Sequence, residues 1–381
     1  MVGNQIQTTT YVDSDQQLND LCLSWLKCDV LILDTEFIRT QTFYPIAGLI
    51  QLSDGDNCYL IDPLVINDFS SFAALLTDEK IIKVLHSCSE DLDVFHRLMG
   101  VVPTPVLDTQ IGAAIAGYGF SLSYQKIVGQ VLDIYIEKGE TRSDWLQRPL
   151  TESQHHYAIL DVLYLSQVYD RLLSELESLD RKQWWLEECS KLSPNYYEAN
   201  NPDNYYLKVK SAWKLSRPQL NCLKKITVWR EQQAREKDRP RGRILKDSAC
   251  FELAQKLPDS LQKLSVIRDV SSGVIRKYGE DLLKTIQCSL DEKPENFPKR
   301  LPRPLPPATG SILKSLKLLV KEKAEQLNIP TETLIRKKDY EGLIRSGYAS
   351  GEYYLPEGLK GWREPVIGSC LIAALEAHES F

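Results

Sequence analysis

A chain of 381 residues exceeds what one hydrophobic core usually serves, so two or three domains are expected. With 43% apolar and 26% charged residues the composition is ordinary for a soluble globular protein, so disorder is not the default expectation. The net charge of −6 argues against a nucleic-acid partner only on average: residues 1–200 hold 13 Lys+Arg against 29 Asp+Glu, and residues 201–381 hold 33 against 23, so an acidic unit is joined to a basic one suited to gripping phosphates.

The first residues, MVGNQIQTTTYVDSDQQL, carry no charged-then-apolar leader pattern, and no apolar run approaches the roughly 18 residues of a membrane span. The nine cysteines are scattered singly from Cys22 to Cys370 without a C-x-x-C pair. That pattern fits neither a zinc site nor a disulfide framework, and the expectation is a soluble protein of a reducing cytoplasm with no membrane partner.

VLILD (30–34) is a continuous apolar run entering an acid, as in a buried central strand, and GLIQLS and CYLID read as its hairpin-linked neighbours. IIKVLH (81–86) reads as another buried strand, followed by a helix with Ser89 as N-cap before Glu90 and Asp91. Residues 109–117, 121–131 and 152–176 have helical periodicity. This order predicts an α/β unit with a mixed sheet flanked by helices.

Two stretches read as joints: SPNYYEANNPDNYY (193–206), and DEKPENFPKRLPRPLPPATG (291–310), whose six prolines stiffen it into a spacer. The expected domains are therefore 1–200, 208–290 and 309–381, the last two all-helical. In the second, Ser216 and Gln219 form a capping box ahead of Leu220, Leu223, Ile226 and Trp229, and RPRGRILK (239–246) is expected to be a basic loop. The third runs from SILKSLKLLVKEKAEQL to GWREPVIGSCLIAALEA.

Acids fall at three places in the first unit. Asp34 and Glu36 lie two apart in a strand and point the same way, about 7 Å apart, while Thr35 points to the other face. Ending a buried strand in two charges costs desolvation energy, which a bound cation ordinarily offsets. Tyr157 and Asp161 lie one helical turn apart on one face. Asp91 stands in the first turn of its helix, where acids oppose the helix dipole, and spacing alone does not separate it from Glu90 and Asp93.

The conjunction of D-T-E in a first strand, an acid after a later strand and Y-x-x-x-D in a late helix resembles the signature of the DEDD 3′-5′ exonucleases. DTEFIRTQTFYPIAGLIQL, HSCSEDLDVF, LDTQIGAA and GETRSDWLQRPLTESQHHYAILDVLYL are similar to the bacterial ribonuclease D family within them, and LSRPQLNCLKKITVWREQQAREKDRPRGRIL to its HRDC domain. The third unit, notably its GWR, resembles the second, divergent HRDC-like domain of those enzymes. The resemblance implies an RNase H-like exonuclease domain followed by two HRDC-type domains, acting as a monomer. It implies that Asp34, Glu36, Asp91 and Asp161 hold two Mg²⁺ or Mn²⁺ ions and that Tyr157 orients the attacking water. The implied substrates are tRNA precursors and other small structured RNAs, shortened from their 3′ ends with release of nucleoside 5′-monophosphates.

A sister branch of the family uses H-x-x-x-x-D, and His156 stands in that relation to Asp161; the flanking WLQRPL and DVLYL favour Tyr157. Arg142, Asp144 and Trp145 match a family segment and suit either packing or substrate contact. Phe43 and Tyr44 follow the catalytic strand, where loop aromatics more often pack than stack on a base. Arg239, Arg241 and Arg243 are the candidates for phosphate contacts.

Overall fold

The computed structural model describes residues 8–136, 139–140, 143–348 and 350–379. The chain divides into two compact units, one of residues up to 38 with 46–194 and 305–381, the other of 39–45 with 195–304.

The first unit opens with β1 (Thr9–Val12), α1 (Asp15–Trp25), β2 (Val30–Ile38), β3 (Ile46–Ser53) and β4 (Cys58–Ile61). There follow α2 (Ser70–Leu76), β5 (Ile82–Leu85), α3 (Ser89–Met99), β6 (Val106–Asp108), α4 (Thr109–Ala116), α5 (Tyr124–Leu132), α6 (Glu152–Ser178) and α7 (Lys182–Ser190). The strands form one sheet in the order β1-β4-β3-β2-β5-β6. β2 pairs antiparallel with β3 and parallel with β5, so the sheet is mixed. Leu31, Ile32 and Leu33 are fully buried, which is why this strand reads as an unbroken apolar run rather than an alternating one.

The expected strands and helices form close to their predicted bounds. The two edge strands, β1 and β6, are four and three residues long and too short to show a period. The cap of α3 is Cys88, not Ser89, which is already inside the helix and exposed. α6 begins where Thr151 and Gln154 exchange capping bonds, Thr151 N–H to Gln154 Oε1 at 2.9 Å and Gln154 N–H to Thr151 Oγ1 at 3.1 Å.

The chain passes into the second unit within α8 (Leu192–Ala199), so the first expected joint is folded as helix. That unit holds α9 (Arg217–Glu236), α10 (Arg241–Ile244), α11 (Asp247–Lys256), α12 (Leu261–Leu264) and α13 (Ser272–Leu290) around one core that includes Phe43. Gln219 Oε1 accepts from Ser216 N–H at 2.9 Å, as the capping box requires. The stretch expected as a basic loop instead turns into α10, because Ile244 and Leu245 are drawn into that core.

Residues 305–381 return to the first unit as α14 (Gly310–Leu327), α15 (Thr331–Leu334), α16 (Lys337–Gly347) and α17 (Ser369–Glu379). They pack on α7: the rings of Trp184 and Trp362 stack 4.4 Å apart, and the Arg363 guanidinium pairs with Glu188 with both side chains buried. Arg181 Nη2 donates to the Leu327 carbonyl at 2.7 Å.

Candidate active site

β2 carries Asp34 and Glu36 on one face, and α6 lies over that face, contacting β2, β3 and β4. The capping box fixes where α6 begins, and with it the height at which Asp161 meets the strand. Carboxylate oxygens of Asp34, Glu36 and Asp161 lie within 4.8 Å of one another. Asp161 is buried and the other two are partly open.

Asp91 flanks this cluster from the first turn of α3. Its Oδ1 accepts a hydrogen bond from the Thr35 hydroxyl at 2.5 Å, which ties α3 to β2. Of the three acids that the sequence left level, Asp91 is buried, Glu90 is exposed and Asp93 is intermediate. The role of Thr35 was the point missed. Its signal was strand alternation, which turns Thr35 away from Asp34 and Glu36.

Burial, then the neighbouring Asp161 and Asp91, raises the Asp34 carboxyl well above its ordinary range. Burial with Asp34 and Asp91 nearby raises Glu36 to about 9. Burial raises Asp91 to about 7 against the opposing hydrogen bond from Thr35, and burial with Glu36 nearby raises Asp161. The charges acting on Asp34, Glu36 and Asp161 are those of other acids, so a cation is what would ionise the cluster. Hard carboxylate oxygens at this spacing suit a hard divalent ion.

The Tyr157 phenol is pushed up by burial and then by Asp161, Glu36 and Asp34, so it lies beside the cluster and stays protonated. His156 is exposed on the adjacent helical position. The Tyr124 hydroxyl donates to the backbone carbonyls of Leu160 and Asp161, at 2.8 and 2.5 Å, bracing α6 where its acid emerges. Trp145 is buried against Leu49, Leu60 and Ala158, and the Asp144 carbonyl accepts from Gln154 Nε2 at 3.1 Å, so both take part in packing. Arg142 lies outside the described residues.

Within the second unit, Phe43 is a core residue, and Asp238 Oδ1 accepts from the backbone N–H groups of Phe43 and Tyr44. Arg241 turns inward: its Nε meets Glu231 at 2.5 Å, its Nη2 the Tyr205 hydroxyl at 2.7 Å, and its guanidinium lies 4.7 Å from the Phe43 ring centre. Arg239 and Arg243 are exposed and, with Lys237 and Lys277, line a concavity of about 590 Å³.

Residues 9–177 match the 3′-5′ exonuclease family model, and residues 219–286 the HRDC domain. The ribonuclease D of Pseudomonas paraeruginosa is 43% identical, over 96% of this chain and 97% of that one. The chain belongs to the ribonuclease D family. The Escherichia coli ribonuclease D is 34% identical over 96% of this chain and 98% of that one. The crystal structure of E. coli RNase D, described as an exoribonuclease involved in structured RNA processing, matches with a TM-score of 0.86 at 33% identity, over 97% of this chain and 98% of that one. A protein from Bifidobacterium adolescentis, 21% identical with a TM-score of 0.64 over 96% and 97% of the two chains, shares the fold. The exonuclease domain of the ribonuclease D family is divalent-metal dependent, consistent with the acidic cluster. No helix among the described residues is long and apolar enough to cross a membrane.

Proposed function

We propose that this member of the ribonuclease D family removes nucleotides one at a time from the 3′ ends of tRNA precursors and other small structured RNAs, as a cytoplasmic monomer. The observation that carries the reading is the convergence of Asp34, Glu36 and Asp161 beside Asp91 and Tyr157, which matches the chemistry of phosphodiester hydrolysis.

Asp34, Glu36 and Asp161, with Asp91 beside them, would hold two Mg²⁺ or Mn²⁺ ions. Bound there, they supply Lewis-acid activation of a water and stabilisation of the departing 3′ oxygen. Tyr157 holds the attacking water by a hydrogen bond; a phenol raised above its ordinary value serves as donor and not as base. The new bond joins the water oxygen to phosphorus, the P–O3′ bond breaks, and the 3′ oxygen ends protonated. The products are a nucleoside 5′-monophosphate and an RNA one residue shorter.

Of the three candidate arginines, the exposed Arg239 and Arg243 would meet RNA phosphates, since Arg241 is engaged with Glu231. The same carboxylate site suits a DNA strand, and discrimination rests on contacts to the 2′-hydroxyl. Matched RNA and DNA oligonucleotides and a 3′-extended tRNA, each incubated with Mg²⁺, with Mn²⁺ and with EDTA, test the proposal. Stepwise release of 5′-monophosphates from RNA, only with metal, is expected. Full activity in EDTA or in Asp34→Ala overturns it.

A further inference from the structure

Gln51 is a fully buried side chain in the centre of the sheet, and neither its amide oxygen nor its amide nitrogen has a hydrogen-bond partner. An amide in that state needs an explanation, since buried polar groups are nearly always satisfied. Its surroundings supply one. In the register of the sheet Gln51 stands directly across from Asp34 on β2 and from Leu60 on β4. Cross-strand partners share a face, so Gln51 lies on the face that carries Asp34 and Glu36. Leu49, two residues earlier on that face, and Leu60 both pack against Ala158 of α6, which closes the face over the amide. Of its two cross-strand neighbours Leu60 offers nothing, and Asp34 alone bears a group that can hydrogen-bond.

Resting on the metal reading proposed above, we infer that Gln51 is a positioning residue for Asp34: its amide nitrogen donates to one oxygen of the Asp34 carboxylate, and so fixes the orientation in which Asp34 presents its other oxygen to the metal. Ligand carboxylates are commonly oriented by such outer hydrogen bonds, whose loss weakens metal binding by about 10- to 100-fold. The amide suits the task because it donates without adding charge to a cluster already crowded with acids. Thr35 holds Asp91 by a bond already formed. Gln51 is the complementary case, a donor buried opposite its acceptor.

The experiment is calorimetric titration of Mn²⁺ into the full chain, the Gln51→Met variant, which keeps length and removes both polar atoms, and the Gln51→Asn variant, which keeps the amide one methylene short. Thermal melts in EDTA accompany each. The inference expects Gln51→Met to melt in EDTA at or above the parent, since an unsatisfied group has been removed, and to bind Mn²⁺ about 10-fold or more weakly, with Gln51→Asn between the two. An affinity for Mn²⁺ in Gln51→Met equal to the parent's overturns it. If Gln51→Met does not fold, Gln51→Asn binding as tightly as the parent overturns it equally. A parent chain that binds no Mn²⁺ removes the metal reading and this inference together, an outcome distinct from parent binding that the variants leave unchanged.

Discussion

Glu36→Gln is expected to make the metal-free protein more stable while abolishing hydrolysis. Burial, with Asp34 and Asp91 alongside, raises this carboxyl from 4.5 to about 9. At pH 8 the folded state therefore holds a proton that the unfolded chain has lost, at a cost of about 5 kcal/mol. A glutamine carries no such proton but leaves an amide in a desolvated place, which costs about 1–3 kcal/mol. The net gain is about 2–4 kcal/mol, or a rise in Tm of roughly 4–8 °C for a unit of this size. The direction with pH follows from the raised value: stability contributed by the protonated acid is fully present below pH 4.5 and is lost as pH rises through about 9. The assay is thermal unfolding in EDTA at pH 5.5 and pH 8, repeated with Mn²⁺. The parent is expected to melt lower at pH 8 than at pH 5.5, the variant to lose much of that dependence, and Mn²⁺ to raise the parent's Tm far more than the variant's. A variant that melts at or below the parent at pH 8 in EDTA would refute the reasoning, because the cluster would then not be electrostatically strained.

Thr35→Val removes the hydrogen bond to buried Asp91 at little change in shape, and is expected to cost about 1.5–3 kcal/mol in stability and about 10-fold in Mn²⁺ affinity, with Thr35→Ser close to the parent in both melts and titrations. Tyr157→Phe is expected to lower kcat roughly 100-fold with KM little changed, whereas His156→Ala retains turnover; the reverse result in steady-state assays would move the water-holding role to His156. Arg363→Met strands the buried Glu188 carboxylate. Burial pushes that acid up, but Arg363 and then Lys191 hold it at about 2. Because the Lys191 contact at 3.2 Å remains, denaturant melts at pH 7 are expected to show a loss near the low end of about 3–5 kcal/mol. In the parent the contribution of this pair is present above pH 4.5 and disappears as pH falls through about 2.

The central strand and its two acids were legible because VLILD is a run that only a doubly covered strand needs, and because alternation fixes which side chains share a face. The face of α6 was legible from the four-residue spacing of Tyr157 and Asp161. Which acid of S-E-D-L-D would turn inward was not, since the first turn of a helix favours acids at every position, and the choice is made by Thr35 on another element. The basic run 239–246 misled in the other direction: its charges suggested a solvated loop, while two aliphatic residues at its end pulled it into a helical turn and Glu231 captured Arg241. Gln51 gave no local signal at all, because its meaning depends on what stands across the sheet from it.

The return of residues 305–381 to α7 makes the first unit discontinuous in sequence, so its covalent order and its physical integrity part company. Nicking the backbone in the proline-rich stretch 291–304 would separate two polypeptides on a denaturing gel and yet release nothing in native buffer. Halting synthesis at residue 194 would deliver every catalytic acid on a body with one wall missing, its tryptophan bared and Glu188 deprived of its arginine.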